Sequence, residues 1–174
     1  MLESHNEDLM WRGCVSALYI ANAAGAPMVS LSQAVLVEGR GIEGDRYYSQ
    51  TGTHSTDEDD EPSYEVTLIE HETIEALRRE KHLNVGAETP RRNIVTQGIA
   101  LNHLVHRTFR IGEVTLYGVA LREPCIHLGQ VTSHRLMVSL IHRGGPGARI
   151  LRSGTIRVGD LIEEDWRHHA PDGV

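Results

Sequence analysis

Hydrophobic positions along the chain recur with two periods, and the segments that carry them are separated by clusters of Gly, Pro, Ser, Asn and Asp. Residues 13–22, Gly-Cys-Val-Ser-Ala-Leu-Tyr-Ile-Ala-Asn, are apolar and partly β-branched and run into Ala24-Gly25-Ala26-Pro27, so they predict a strand entering a turn. Similar short runs predict strands over 33–37, 64–69, 92–96 and 114–121, the last approached through Phe109-Arg110-Ile111-Gly112. After the breaker Gly144-Gly145-Pro146-Gly147, further strands are predicted over 148–151 and as a pair within 155–162, punctuated by Gly154 and Gly159. The helical period is rarer. Ile74 and Leu77 share one face of residues 70–82, where acids come early and Arg78, Arg79 and Lys81 come late, the order that complements a helix dipole. A second helix is predicted over 133–142, a helical turn over 101–105, and a helix start near His127. Many short strands with two or three helices predict a mainly β, α+β fold, an antiparallel barrel or sandwich.

One segment has no period. Residues 39–62 are rich in Gly, Ser, Thr and acids, and Asp57-Glu58-Asp59-Asp60-Glu61 places five carboxylates at the tip of an acidic loop spanning about 49–63. A run of that length within a domain is a functional loop or a disordered one, and composition does not choose between them.

With 174 residues the chain is long enough to bury a core without staples, and a single domain over 1–174 is expected. No apolar run reaches the roughly 20 residues of a membrane span, and the acidic start Met1-Leu2-Glu3-Ser4-His5-Asn6-Glu7-Asp8 is unlike the basic start of a signal peptide. Cys14 and Cys125 could form at most one bridge, so a reducing cytoplasm, with no membrane association, is the expected setting. The net charge of -7 argues against nucleic acid as a partner. Of the 17 basic residues only Lys81 is lysine, leaving any Schiff-base chemistry a single candidate, late on a charged helix. The arginines instead offer rigid donor forks for phosphate and carboxylate.

Gly39-Arg40-Gly41-Ile42-Glu43-Gly44 matches a dinucleotide fingerprint literally, yet Asp45 and Arg46 follow where an apolar helix should open, so a nucleotide site is not expected. Gly41 and Gly44 fit a tight loop that aims Asp45 and Arg46. Arg91-Arg92-Asn93 sets two guanidinium forks and an amide at a strand entrance, a surface pair or a grip for an anion. Cys125 lies in Arg122-Glu123-Pro124-Cys125-Ile126-His127, where Pro124 ends a strand and Arg122, His127 and a helix start would favour a thiolate. A small buried hydrophobe is an equal alternative for Cys125, and burial in the core is expected for Cys14. Cys125, His127, His134 and His142 reproduce no recognised ligand spacing, and no zinc is expected.

Taken in order, Gly41-Ile42-Glu43-Gly44-Asp45-Arg46, Val66-Thr67-Leu68-Ile69-Glu70, Arg91-Arg92-Asn93-Ile94-Val95, Pro124-Cys125 and Gly154-Thr155-Ile156-Arg157-Val158-Gly159-Asp160 resemble the MOSC domain, named for the C-terminal domain of molybdenum cofactor sulfurases. The resemblance implies a β-barrel-like fold and a small stand-alone member of the family. It implies that Cys125 carries sulfur as a persulfide for cofactor maturation, or ligates molybdenum where the molybdenum cofactor (molybdopterin) is bound. Gly44, Asp45, Arg46, Arg91, Arg92, Asn93 and His127 are then expected around it. A molybdenum-dependent reductase component acting on N-hydroxylated compounds, and a non-catalytic anion-binding module, are the competing expectations. The implied partners are a cysteine desulfurase as sulfur donor or a redox protein, because the chain has no room for a pyridoxal-phosphate desulfurase domain of its own.

Overall fold

The computed structural model describes residues 12–50 and 64–165, so the acidic tip at 57–61 lies outside the described residues. Eleven strands and three helices follow one another as β1 (Arg12–Ile20), β2 (Val29–Leu31), β3 (Gln33–Val37), β4 (Gly41–Ile42), β5 (Val66–Glu70), α1 (His71–Lys81), β6 (Ile94–Gln97), β7 (Thr108–Ile111), β8 (Val114–Leu121), α2 (Ile126–Val131), α3 (His134–Ser139), β9 (Pro146–Arg152), β10 (Gly154–Arg157) and β11 (Leu161–Glu164), with a 3-10 turn at Leu101–Leu104. Seven strands close into a barrel in the order β11-β7-β8-β9-β5-β6-β1, and β1 returns to β11 through Cys14 opposite Leu161. Closure leaves these strands no open edge. β2 extends β1 beyond the ring, and β10, β3 and β4 form a separate small sheet.

The barrel is antiparallel except between β5 and β6, which run parallel on either side of α1. A parallel pair needs such a crossover, and it is buried on both faces. Alternation within it divides the core in two: Leu68 and Ile94 point into the barrel with Phe109, Leu116 and Ile150, while Ile69 and Val95 point outward to meet Ile74 and Leu77 of α1 and Leu128, Leu136 and Leu140 of the α2–α3 region. Phe109, the sole phenylalanine, is fully enclosed, which stabilises the fold by roughly 1.5–3 kcal/mol relative to exposure. The helix predicted over 70–82 forms as α1, ended by His82 in the left-handed region at φ 50°.

The structure differs from expectation at several points. Gly41 and Ile42, read as loop, form the short strand β4 against Val37 and Leu36, since a strand of two residues leaves no period to detect. Phe109 to Ile111 belong to a strand of their own, hairpinned with β8. The helix predicted over 133–142 starts on the Ser133 cap, whose hydroxyl accepts the Leu136 amide at 3.2 Å, but ends at Ser139. Cys14 is half-buried and outside the core, because Val15 and Leu18 turn inward across a bulge opposite β6 and leave Cys14 on the other face. Among the described residues no helix is long and apolar enough to cross a membrane.

Candidate functional site

Four separate stretches of chain meet at one site, and each is fixed by backbone before its side chains reach it. The turn after β4 is framed by Gly41 at φ 105° and Gly44 at φ 83°. A Cβ on Gly41 would stand 2.9 Å from the Glu65 carbonyl oxygen, so the position is closed to other residues by both conformation and space. Behind this turn Asp45 is fully buried, and its carboxylate accepts the amides of Ala21 at 3.0 Å and Tyr47 at 3.2 Å and the Arg46 guanidinium at 3.3 Å. Arg46 is thereby aimed forward, nearly buried itself, with its guanidinium 4.7 Å from the Tyr47 ring centre.

The second stretch is Arg91-Arg92-Asn93, ahead of β6. Arg91 takes a left-handed backbone at φ 58°, and its Nη2 is buried with no hydrogen-bond partner. Burial, and then the nearby Arg46 charge, lower its pKa. Arg92 is tied down: its Nε donates to the Gly144 carbonyl and its Nη2 to the Arg122 carbonyl, both at 2.9 Å. Its pKa is also lowered, by burial first and Arg122 second, while a Cys125 thiolate acts in the opposite sense. Asn93 is fully buried and stitches three strands. Its Oδ1 accepts from the Thr67 amide at 3.2 Å and the Thr67 hydroxyl at 2.9 Å, and its Nδ2 donates to the Tyr19 carbonyl at 3.2 Å.

The third and fourth stretches are Tyr64, just before β5, and residues 122–128, where β8 gives way to α2. Arg122 lies 3.9 Å from the Tyr64 ring centre, and Tyr64 meets Tyr47 edge-on at 6.0 Å. Gly147 makes the approach feasible, since a Cβ there would come within 2.8 Å of the Tyr64 ring and 3.1 Å of Arg122. Burial, with Tyr47 beside it, raises the Tyr64 pKa despite Arg122, so the phenol keeps its proton. Cys125 is a half-buried cysteine at the N-cap of α2, reached through Pro124 as expected. Burial alone would raise the pKa of Glu123, but hydrogen bonds from the His142 amide at 2.9 Å and its ring at 2.8 Å hold the carboxyl below its ordinary range.

These residues line a solvent-open cavity of about 60 Å³, whose wall includes Arg46, Arg91, Arg92, Arg122, Tyr47, Tyr64, Thr67, Glu123, Cys125 and His127. Of the residues expected from the sequence, Cys125, His127, Arg46, Arg91 and Arg92 line it. Gly44, Asp45 and Asn93 do not; they stand behind it, where the backbone needs them. Tyr47 and Tyr64 were not anticipated, and Arg122, noted only as a neighbour of the thiol, forms part of the wall. A sequence signal for Arg122 and Tyr64 existed in the small residue at 147, but it reads only as a turn until the strands are paired. Among the described residues no three His, Cys, Asp or Glu side chains group closely enough to hold a metal between them.

Chemically, the site places one thiol among four guanidinium groups, with donors outnumbering acceptors. The fold around it is shared with solved structures. The YuaD protein of Bacillus subtilis superposes with a TM-score of 0.75 at 17% identity, over 89% of this chain and 96% of that one. YiiM from Geobacillus stearothermophilus gives 0.66 at 12% identity, over 89% and 76% of the two chains, and YiiM from Escherichia coli 0.62 at 19%, over 90% and 71%. No curated protein matches the sequence. The sequence model of the MOSC domain matches residues 53–163, a range that runs from before Tyr64 through Arg91, Arg92 and Cys125 to β11. With that match over well more than half of its length, the chain belongs to the MOSC domain family.

Proposed function

We propose that this domain acts on the molybdenum cofactor, with Cys125 carrying sulfur for cofactor maturation. The observation that supports it most directly is the placement of Cys125 in one cavity with Arg46, Arg91, Arg92 and Arg122. The residues present fit the group on two counts. A thiolate is a soft ligand and a carrier of sulfane sulfur, and the buried, unpartnered Nη2 of Arg91 is a donor in want of an anionic acceptor such as a phosphate oxygen. When bound, the cofactor supplies a metal centre that accepts sulfur.

Each residue then has a separable task. Arg46, held from behind by Asp45, and Arg91 bind the anion. Arg92 holds the Arg122 and Gly144 carbonyls, and so the approach to Cys125, while its positive charge favours the thiolate. Tyr64 fixes Arg122 by stacking.

The test is a titration of the full chain with purified molybdenum cofactor, alongside Cys125→Ala and peptide-mapped alkylation of both cysteines. Expected are saturable binding, faster alkylation of Cys125 than of Cys14 at neutral pH, and loss of sulfur loading in Cys125→Ala. Full sulfur loading in that variant would make Cys125 structural. Turnover of N-hydroxylated compounds by cofactor-loaded protein with a redox partner would replace the carrier assignment by a reductase one.

A further inference from the structure

The charge of the cavity bears on what can deliver sulfur to Cys125. Four guanidinium groups line it, and the carboxylates nearby are already engaged: Asp45 by two amides and Arg46, and Glu123 by His142. The result is an excess of positive charge in a chain whose net charge is -7. Low surrounding dielectric strengthens that field. Arg91 Nη2 has no acceptor within the protein, and the Tyr64 phenol stays protonated. The wall thus offers N–H donors beside a thiol, which suits a small oxyanion that carries more than one negative charge.

We propose that the cavity takes a thiosulfonate-class anion, of which thiosulfate is the simplest, as the sulfur donor to Cys125; this rests on the sulfur-carrying function proposed above. In the transfer, the Cys125 thiolate attacks the terminal sulfane sulfur. A bond forms between Sγ and that sulfur, and the bond between it and the sulfonyl sulfur breaks. The bonding electron pair leaves with the sulfonyl group, which from thiosulfate departs as sulfite. Cys125 is left as a persulfide, and no external oxidant or reductant takes part. Negative charge grows on the departing sulfonyl oxygens, where Arg46, Arg91 and Arg122 are placed to meet it.

The experiment treats the full chain with sodium thiosulfate, removes the excess, and reads the mass gain of one sulfur atom at Cys125 by peptide mapping. A parallel arm offers L-cysteine with a cysteine desulfurase. Loading from thiosulfate, absent in Cys125→Ser and slowed by inorganic phosphate, is the expected result. Loading from the desulfurase but not from thiosulfate overturns the donor assignment and leaves the carrier function standing, whereas loading from neither overturns both. Arg91→Gln should slow thiosulfate loading about tenfold more than it slows alkylation by neutral iodoacetamide, as expected for a lost charge-assisted bond to the donor. Equal slowing would place the Arg91 effect on the thiol and overturn the anion-binding part.

Discussion

Asn93→Ala decides whether the amide of the Arg91-Arg92-Asn93 segment serves the ligand or the barrel. In the wild type its side chain makes three hydrogen bonds, to the Thr67 amide, the Thr67 hydroxyl and the Tyr19 carbonyl. Alanine removes all three while leaving the backbone pairing of residue 93 with the Thr67 carbonyl at 3.0 Å. The Thr67 hydroxyl still has the residue 93 amide to accept from, at 3.1 Å in the wild type. Three groups nevertheless lose their partner, the buried Thr67 N–H and O–H and the half-buried Tyr19 carbonyl, at roughly 1–3 kcal/mol for each buried group and less for the third, for a loss of about 3 kcal/mol. For a chain of this size, each kcal/mol moves the thermal midpoint by roughly 2–4 °C, so a fall of about 10 °C is expected. Urea unfolding and a thermal scan measure the loss, and titration with inorganic phosphate measures what remains of anion binding in the folded fraction. Because Asn93 and Thr67 share their bonds, Asn93→Ala and Thr67→Val should combine to less than the sum of their separate effects. A variant within ~0.5 kcal/mol of the wild type that nonetheless lost phosphate affinity would refute this reasoning and return Asn93 to the pocket.

Gly147→Ala should disturb the cavity wall more than the fold, since its Cβ would meet Tyr64 and Arg122 side chains rather than backbone; a destabilisation of about 1–3 kcal/mol is expected together with weakened phosphate binding, and unchanged binding would dissociate the Tyr64–Arg122 stack from the site. Asp45→Asn puts an amide nitrogen where one carboxylate oxygen met Ala21, Tyr47 or Arg46, so about 2 kcal/mol should be lost with Cys125 alkylation preserved in the folded protein. The reverse pattern, intact stability and a slowed thiol, would place the main effect of Asp45 on the thiol and not on the loop amides and Arg46 that it holds. Burial raises the Glu65 pKa above the ordinary 4.5 even though the carboxylate accepts the Ile150 amide. Because the folded state holds that proton more tightly, its contribution to stability is full below pH 4.5 and is lost as pH rises through the raised value. Glu65→Gln, measured by urea midpoints across that window, should flatten the decline, and curves parallel to the wild type would count against the assignment.

What the sequence determined by itself is what local chemistry determines. Period-two runs gave strands at 33–37 and 114–121 because side-chain direction alternates within a single strand, and α1 followed from Ile74 and Leu77 with charges ordered along its axis. The glycine-framed turn ahead of Asp45 and the break at Pro124 were legible for the same reason, since each depends on the φ values that one residue permits. Ring closure was not local. β1 joins β11 across nearly the whole chain, and which face of Cys14 is inward depends on a bulge that exists only once β6 lies opposite. The site belongs to this second kind of information. Arg91 and Arg92 stand side by side in sequence and look equivalent, yet one leaves a buried N–H without a partner and the other binds two carbonyls contributed by residues 122 and 144. Tyr64 and Arg122 touch because β5 and β8 both pair with β9, where residue 147 has no side chain to keep them apart. Such contacts arise from strand order and register, which neither segment encodes alone, so only the closed barrel could place four guanidinium groups around Cys125.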